Sequence, residues 1–80
     1  MSITIELTHP IKVDGTPVES LQLRRPKVRD MLTVEKSSQT DAEKEINLFA
    51  NLCEVQPSAL HDLDMADYSK LQKAYQDFLS

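Results

Sequence analysis

From Ile3 to Leu23 the apolar residues mostly alternate with polar ones: Ile3, Ile5 and Leu7, then Ile11 and Val13, then Leu21 and Leu23. A period of two marks strands with one buried face. After Arg24-Arg25-Pro26 the apolar spacing changes to threes and fours and stays so to Phe78, the rhythm of amphipathic helices. The change of period predicts an α+β fold in one domain. A β-hairpin occupies residues 1–25, and a small bundle of three to four helices fills residues 26–80.

Asp14-Gly15 is the strongest turn signal, and Gly15 is the only glycine in the chain, placed where a hairpin needs an easy positive φ. A two-residue loop there sets Leu7 opposite Gln22, apolar against polar. A three-residue loop, Asp14 to Thr16, sets Val13 opposite Pro17 and Leu7 opposite Leu23. The second register is therefore expected, with a type I turn, Gly15 or Thr16 in the left-handed region, and an adjoining bulge. His9-Pro10 interrupts the ladder, because proline cannot donate; Pro10 and Pro17 imply exposed strand edges.

Pro26 suits the first turn of a helix, so Pro26 to Lys36 reads as a first helix with Val28, Met31, Leu32 and Glu35 at helical spacing. Ser37 to Thr40 is a polar linker. Thr40 and Glu43 form a capping box for a second helix from about Asp41 to Cys53. Its stripe of Ala42, Ile46, Phe49, Ala50 and Cys53, widened by Leu48, Leu52 and Val55, makes this helix central. A single turn follows over Pro57 to Leu63, burying Leu60 and Leu63. Asp64 caps a last helix to about Leu79, with Tyr68, Leu71, Tyr75 and Phe78 on one stripe beside Met65 and Ala74.

Composition narrows the function. Eighty residues make a small domain, and such a chain buries only about 60–65% of its unfolded surface. Cys53 is alone, so no internal disulfide adds stability, and association with other chains is a natural supplement. A net charge of -4 speaks against a dedicated nucleic-acid binder. The chain has no signal-peptide pattern and no apolar run of membrane-spanning length, so a soluble cytoplasmic protein is expected.

Candidate chemistry is sparse. Asp62, Asp64 and Asp67 lack the glycine and the distal glutamate of a calcium loop; Asp64 and Asp67 are expected to serve the helix N-terminus instead. Arg24, Arg25, Lys27 and Arg29 straddle a strand end and a helix start, so their side chains are expected to diverge into solvent. An acidic protein partner, or nucleic acid, is the alternative for them. Cys53 falls on an apolar stripe and reads as a small buried hydrophobe. His9 and His61 have no neighbours that suggest a triad or a metal site. No catalytic, cofactor-binding or metal-binding residue is assigned, and a non-enzyme that binds other proteins is expected.

The order of Ile3-Thr4-Ile5-Glu6-Leu7, His9-Pro10-Ile11, Asp14-Gly15 and Leu21-Gln22-Leu23-Arg24-Arg25-Pro26 with Asp30, closed by Ser58-Ala59-Leu60, Leu63, Asp67-Tyr68, Leu71 and Phe78-Leu79, resembles the tail assembly chaperone family of Mu-like and related contractile-tailed bacteriophages and prophages. The resemblance covers nearly the whole chain. It implies a cytoplasmic morphogenesis protein, absent from the mature virion, that keeps the tape measure protein soluble and hands it over as tail tube protein polymerises. It also implies self-association in many copies, and a short form whose longer counterpart arises by frameshifting. Leu52, Tyr68, Leu71, Tyr75 and Phe78, with Arg24 and Arg25, are the interface candidates, although the apolar five suit a core equally well. The rival readings are a small nucleic-acid-binding regulator using Arg24, Arg25, Lys27 and Arg29, and a minor structural tail protein.

Overall fold

A computed structural model describes residues 2–37 and 40–80; Ser38 and Gln39 of the expected linker lie outside them. Strands β1 (Ser2–Val13) and β2 (Thr16–Arg24) form an antiparallel hairpin. Helices α1 (Val28–Ser37), α2 (Asp41–Cys53), the single turn α3 (Pro57–Leu60) and α4 (Met65–Leu79) follow. The α+β class and the order of elements are as the periodicity predicts. Helix α1 starts two residues later than Pro26, because the Asp30 carboxylate turns back to accept the Lys27 N–H at 2.8 Å and so closes the helix end.

The hairpin corrects the expected register. Val13 pairs with Thr16, so the loop is the two residues Asp14 and Gly15, with φ of 52° and 80°, as a type I′ turn requires. A Cβ on Gly15 would meet nothing within 4 Å, so its role is the dihedral angle. The mismatch that this loop creates is absorbed in mid-strand: between Glu6 and Ile11 the ladder shifts, Leu7 to Pro10 facing Glu19 alone. Beyond the shift, Ile5 pairs with Leu21 and Ile3 with Leu23. Side chains alternate in a strand, so an insertion of the right length restores the apolar face that the loop alone would lose.

The hairpin lays β1 against α3 and α4, and β2 against α2 and α4. Leu23, Phe49, Leu52 and Leu71 are fully buried where these elements meet, with Ile5, Ile11, Leu21, Leu60, Ala74 and Phe78 around them. The Phe49 ring packs at 5.7 Å from Tyr68 and 5.4 Å from Tyr75, both tilted. Helix α1 leans on α2 alone among its stronger contacts, turning Asp30 and Val34 inward.

Both ends of α2 close by local chemistry. Thr40 Oγ1 accepts the Glu43 N–H at 3.1 Å, the expected N-cap. At the other end, Val55 N–H donates to the Ala50 carbonyl and Glu54 N–H to that of Asn51, with Glu54 in the left-handed region at φ 59°. That is a Schellman closure with glutamate where glycine is usual. Glu54→Gly is therefore expected to stabilise the fold by about 0.5–1 kcal/mol, since a side chain disfavours this conformation. A rise in the urea midpoint at unchanged slope is the expected reading.

Candidate protein-interaction surfaces

The irregular stretch of β1 leaves backbone N–H groups without ladder partners, and Asp67 supplies them. Its fully buried carboxylate accepts the Thr8 N–H at 2.9 Å and the His9 N–H at 3.0 Å. Lys70 pairs with it at 3.1 Å and donates to the Glu6 carbonyl and to Thr8 Oγ1. These bonds, first the two backbone donors and then Lys70, hold the Asp67 carboxyl well below the usual carboxylate range. Asp64 is the N-cap of α4, accepting from Ala66 N–H at 2.9 Å. Asp67 stands in the first turn of α4 as expected, and it also ties that helix to the hairpin. The same bonds occupy the Glu6 carbonyl and the Thr8 and His9 N–H groups, and Pro10 has no N–H, so this stretch of the edge is blunted against strand pairing.

A second carboxylate organises the junction of β2, α1 and α2. Asp30 takes both Arg24 guanidinium nitrogens, at 2.8 and 3.0 Å, together with the Lys27 N–H and Asn51 Nδ2. The hydrogen bonds from Arg24 lower the Asp30 pKa against the opposing effect of burial, and the same pair raises that of Arg24. Arg25 sets its guanidinium 5.6 Å above the Phe78 ring. The four basic side chains do not diverge as expected: Arg24, Arg25, Lys27 and Arg29 line one open depression of about 450 Å³ with Glu54. The Arg24–Asp30 fork bridges the end of β2 and the first turn of α1. Arg24 is already neutralised there, whereas Arg25, Lys27 and Arg29 are exposed.

Of the apolar interface candidates, Leu52, Leu71 and Phe78 are buried in the core and present no surface. Tyr68 and Tyr75 are half-buried, and each edges a groove. Tyr75 shares a cleft of about 230 Å³ with Met31, Val34, Leu48 and Phe49, rimmed by Glu35, Lys44 and Glu45. Tyr68 lines another of about 270 Å³ with Ile46, Leu60, His61, Leu63 and Met65. Its hydroxyl donates to Glu45 at 2.6 Å, and burial together with that carboxylate pushes its pKa up.

The exposed apolar residues are ones that the periodicity had assigned to packing. Val28 is 71% exposed, Leu32 55%, Met31 53% and Met65 75%. The spacing of Val28, Met31 and Leu32 does mark a stripe, but α1 turns it outward and buries Asp30 and Val34. The signal that could have found this is Asp30 itself. An acid three residues into a helix, next to Arg24, anchors the opposite face.

Burial pushes the Cys53 thiol up to about 11, so it is an inert packing group. Among the described residues no three His, Cys, Asp or Glu side chains are grouped to hold a metal, and no helix is long and apolar enough to cross a membrane.

A family model described as phage tail assembly chaperone proteins, E, or 41 or 14, matches residues 4–80. No curated protein and no solved structure matches the chain.

Proposed function

The chain belongs to the phage tail assembly chaperone family, and from that premise we propose that its client is the tape measure protein, which it keeps soluble in the host cell until tail tube protein encloses it. The observation that carries this reading is the cleft between α1 and α4. Leu48 and Phe49 floor it, Met31 and Tyr75 wall it, and the rim is charged. A cleft of this shape accepts one or two apolar side chains from an amphipathic helix laid across it. A tape measure protein is a long helical chain that shows apolar surface until the tube forms. Its chaperone needs contacts that are individually weak and displaceable, repeated in many copies, so that avidity rather than any single site holds the complex. A small, open apolar cleft suits that requirement better than a deep one.

Co-expression with the tape measure protein of the same phage tests the proposal. The long protein is expected to become soluble and to co-purify with many copies of this chain. Met31→Glu, at a half-exposed position, is expected to cut the recovered complex about tenfold, the loss typical of one important interface residue, without changing the circular dichroism spectrum. A tape measure protein that stays insoluble, or full recovery with Met31→Glu, refutes the reading. Binding of nucleic acid that falls steeply with salt would shift the role to the Arg25, Lys27 and Arg29 surface.

A further inference from the structure

The basic cluster plays no part in the α1–α4 cleft, yet the fold gathers it into one place. Four of the nine basic side chains of the chain, Arg24, Arg25, Lys27 and Arg29, line the open depression that they share with Glu54. The protein as a whole has a net charge of -4. Gathering like charges is unfavourable, and two local rules are broken where it happens. Lys27 and Arg29 flank Val28, the first residue of α1, where cations oppose the helix dipole. Glu54, in the same lining, holds a left-handed conformation at φ 59° that a side chain disfavours. Local rules broken together in one place are the pattern expected of a surface kept for function.

Two of the cations are held in position ahead of any ligand. Arg24 is gripped by both Asp30 oxygens, at 2.8 and 3.0 Å, and Arg25 rests 5.6 Å above the Phe78 ring. Groups fixed in this way lose little further freedom on binding. Asp30 and Glu54 offset two of the four charges, so the depression keeps an excess of about two. That excess suits a short segment bearing a few carboxylates better than a long polyanion. Val28 is 71% exposed between Lys27 and Arg29, an apolar contact that a protein segment can use and a phosphate backbone cannot. None of the four aromatic rings of the chain lines the depression, so bases would find no stacking platform.

We propose that this depression docks an acidic segment of another protein, whose carboxylates meet Arg25, Lys27 and Arg29 while an apolar side chain covers Val28. Arg24, already paired with Asp30, shapes the site more than it binds. Ionic contacts on an exposed surface are weak one by one and screened by salt. The docking is therefore reversible, and the local field speeds encounter with an acidic partner. The depression and the α1–α4 cleft share no lining residue. The proposal thus stands apart from the client reading, and either can fail without the other.

Fluorescence anisotropy on the full chain tests this with labelled probes: a peptide of glutamate and leucine, the same peptide with glutamine for glutamate, and a single-stranded oligothymidylate. The glutamate peptide is expected to bind with a Kd of roughly 10–100 μM, the range of weak contacts, and less tightly as salt rises. The glutamine peptide should bind at least about tenfold more weakly, and the oligothymidylate more weakly than the glutamate peptide. Lys27→Glu combined with Arg29→Glu, both at exposed positions, should weaken the glutamate peptide at least about tenfold with an unchanged circular dichroism spectrum. Glu54→Gln removes the opposing charge and should tighten binding about two- to threefold. Met31→Gln, in the client cleft, should leave it unchanged. Equal binding of the two peptides, a folded double variant that binds like wild type, or tighter binding of the oligothymidylate overturns the proposal. The last result would assign the depression to nucleic acid instead.

Discussion

Asp67→Ala is expected to lower the Tm by roughly 10 °C or more, a large shift for a domain of this size. The carboxylate accepts the Thr8 and His9 N–H groups, and it pairs with Lys70. Alanine leaves buried donors unpaired and a cation without its counter-charge, the costly way to break such a network. Asp67 and Lys70 supply the side-chain hydrogen bonds that tie α4 to the β1 irregularity, so the hairpin should come loose before the α2–α4 packing does. Amide exchange would show this as early loss of protection from Ile3 to Ile11, ahead of Phe49 and Leu52. Asp67→Asn keeps one acceptor oxygen but turns an NH₂ towards a backbone N–H, so it should fall between wild type and alanine.

The same bonds set the response to acid. Asp67 and Asp30 both titrate lower in the folded chain than in an unfolded one, so the unfolded state binds protons first as pH falls. Their contribution is therefore fully present above about pH 5 and is lost progressively as pH falls through the ordinary carboxylate pKa of about 3.9 towards the lower values of the folded chain. Urea midpoints measured from neutral pH downward should be flat and then drop. Asp67→Asn should flatten part of that drop. An unchanged acid slope in the variant would refute the assignment.

Phe49→Ala has the other large expected effect, about 3–5 kcal/mol of lost stability, as for a buried aromatic ring cut back to a methyl. An 80-residue domain holds roughly 4–12 kcal/mol in total, so the variant should be substantially unfolded on its own. Phe49 is 1% exposed and carries two ring contacts that join α2 to α4. Its ring also floors the cleft proposed for the client. Near-ultraviolet circular dichroism should therefore lose its tyrosine signal while part of the helical far-ultraviolet signal persists. A cooperative transition within about 1 kcal/mol of wild type would place the packing centre elsewhere.

Much of this architecture was legible in the chain because it is written at short range. The alternation of Ile3, Ile5 and Leu7, the Asp14-Gly15 turn, the Thr40 cap, the Pro57 break and the Asp64 cap each depend on neighbours within a few positions, and the elements formed where those signals lie. Leu52, Leu71 and Phe78 were also legible as one apolar set. Whether such a set is core or interface depends on what faces it, which the spacing does not carry.

The rest was decided by contacts between distant segments. The strand register followed from a mid-strand irregularity that is tolerable only because Asp67, 59 positions from Thr8, satisfies its backbone. The side of α1 that turns outward followed from Asp30, held by Arg24 on the strand and Asn51 on the next helix. A buried carboxylate must find donors wherever the fold brings them, and that demand outweighed the modest gain from burying Val28 and Leu32. Periodicity along the chain reports that a helix has an apolar face; only the arrangement of charged partners in space determines whether that face points at the core or away from it.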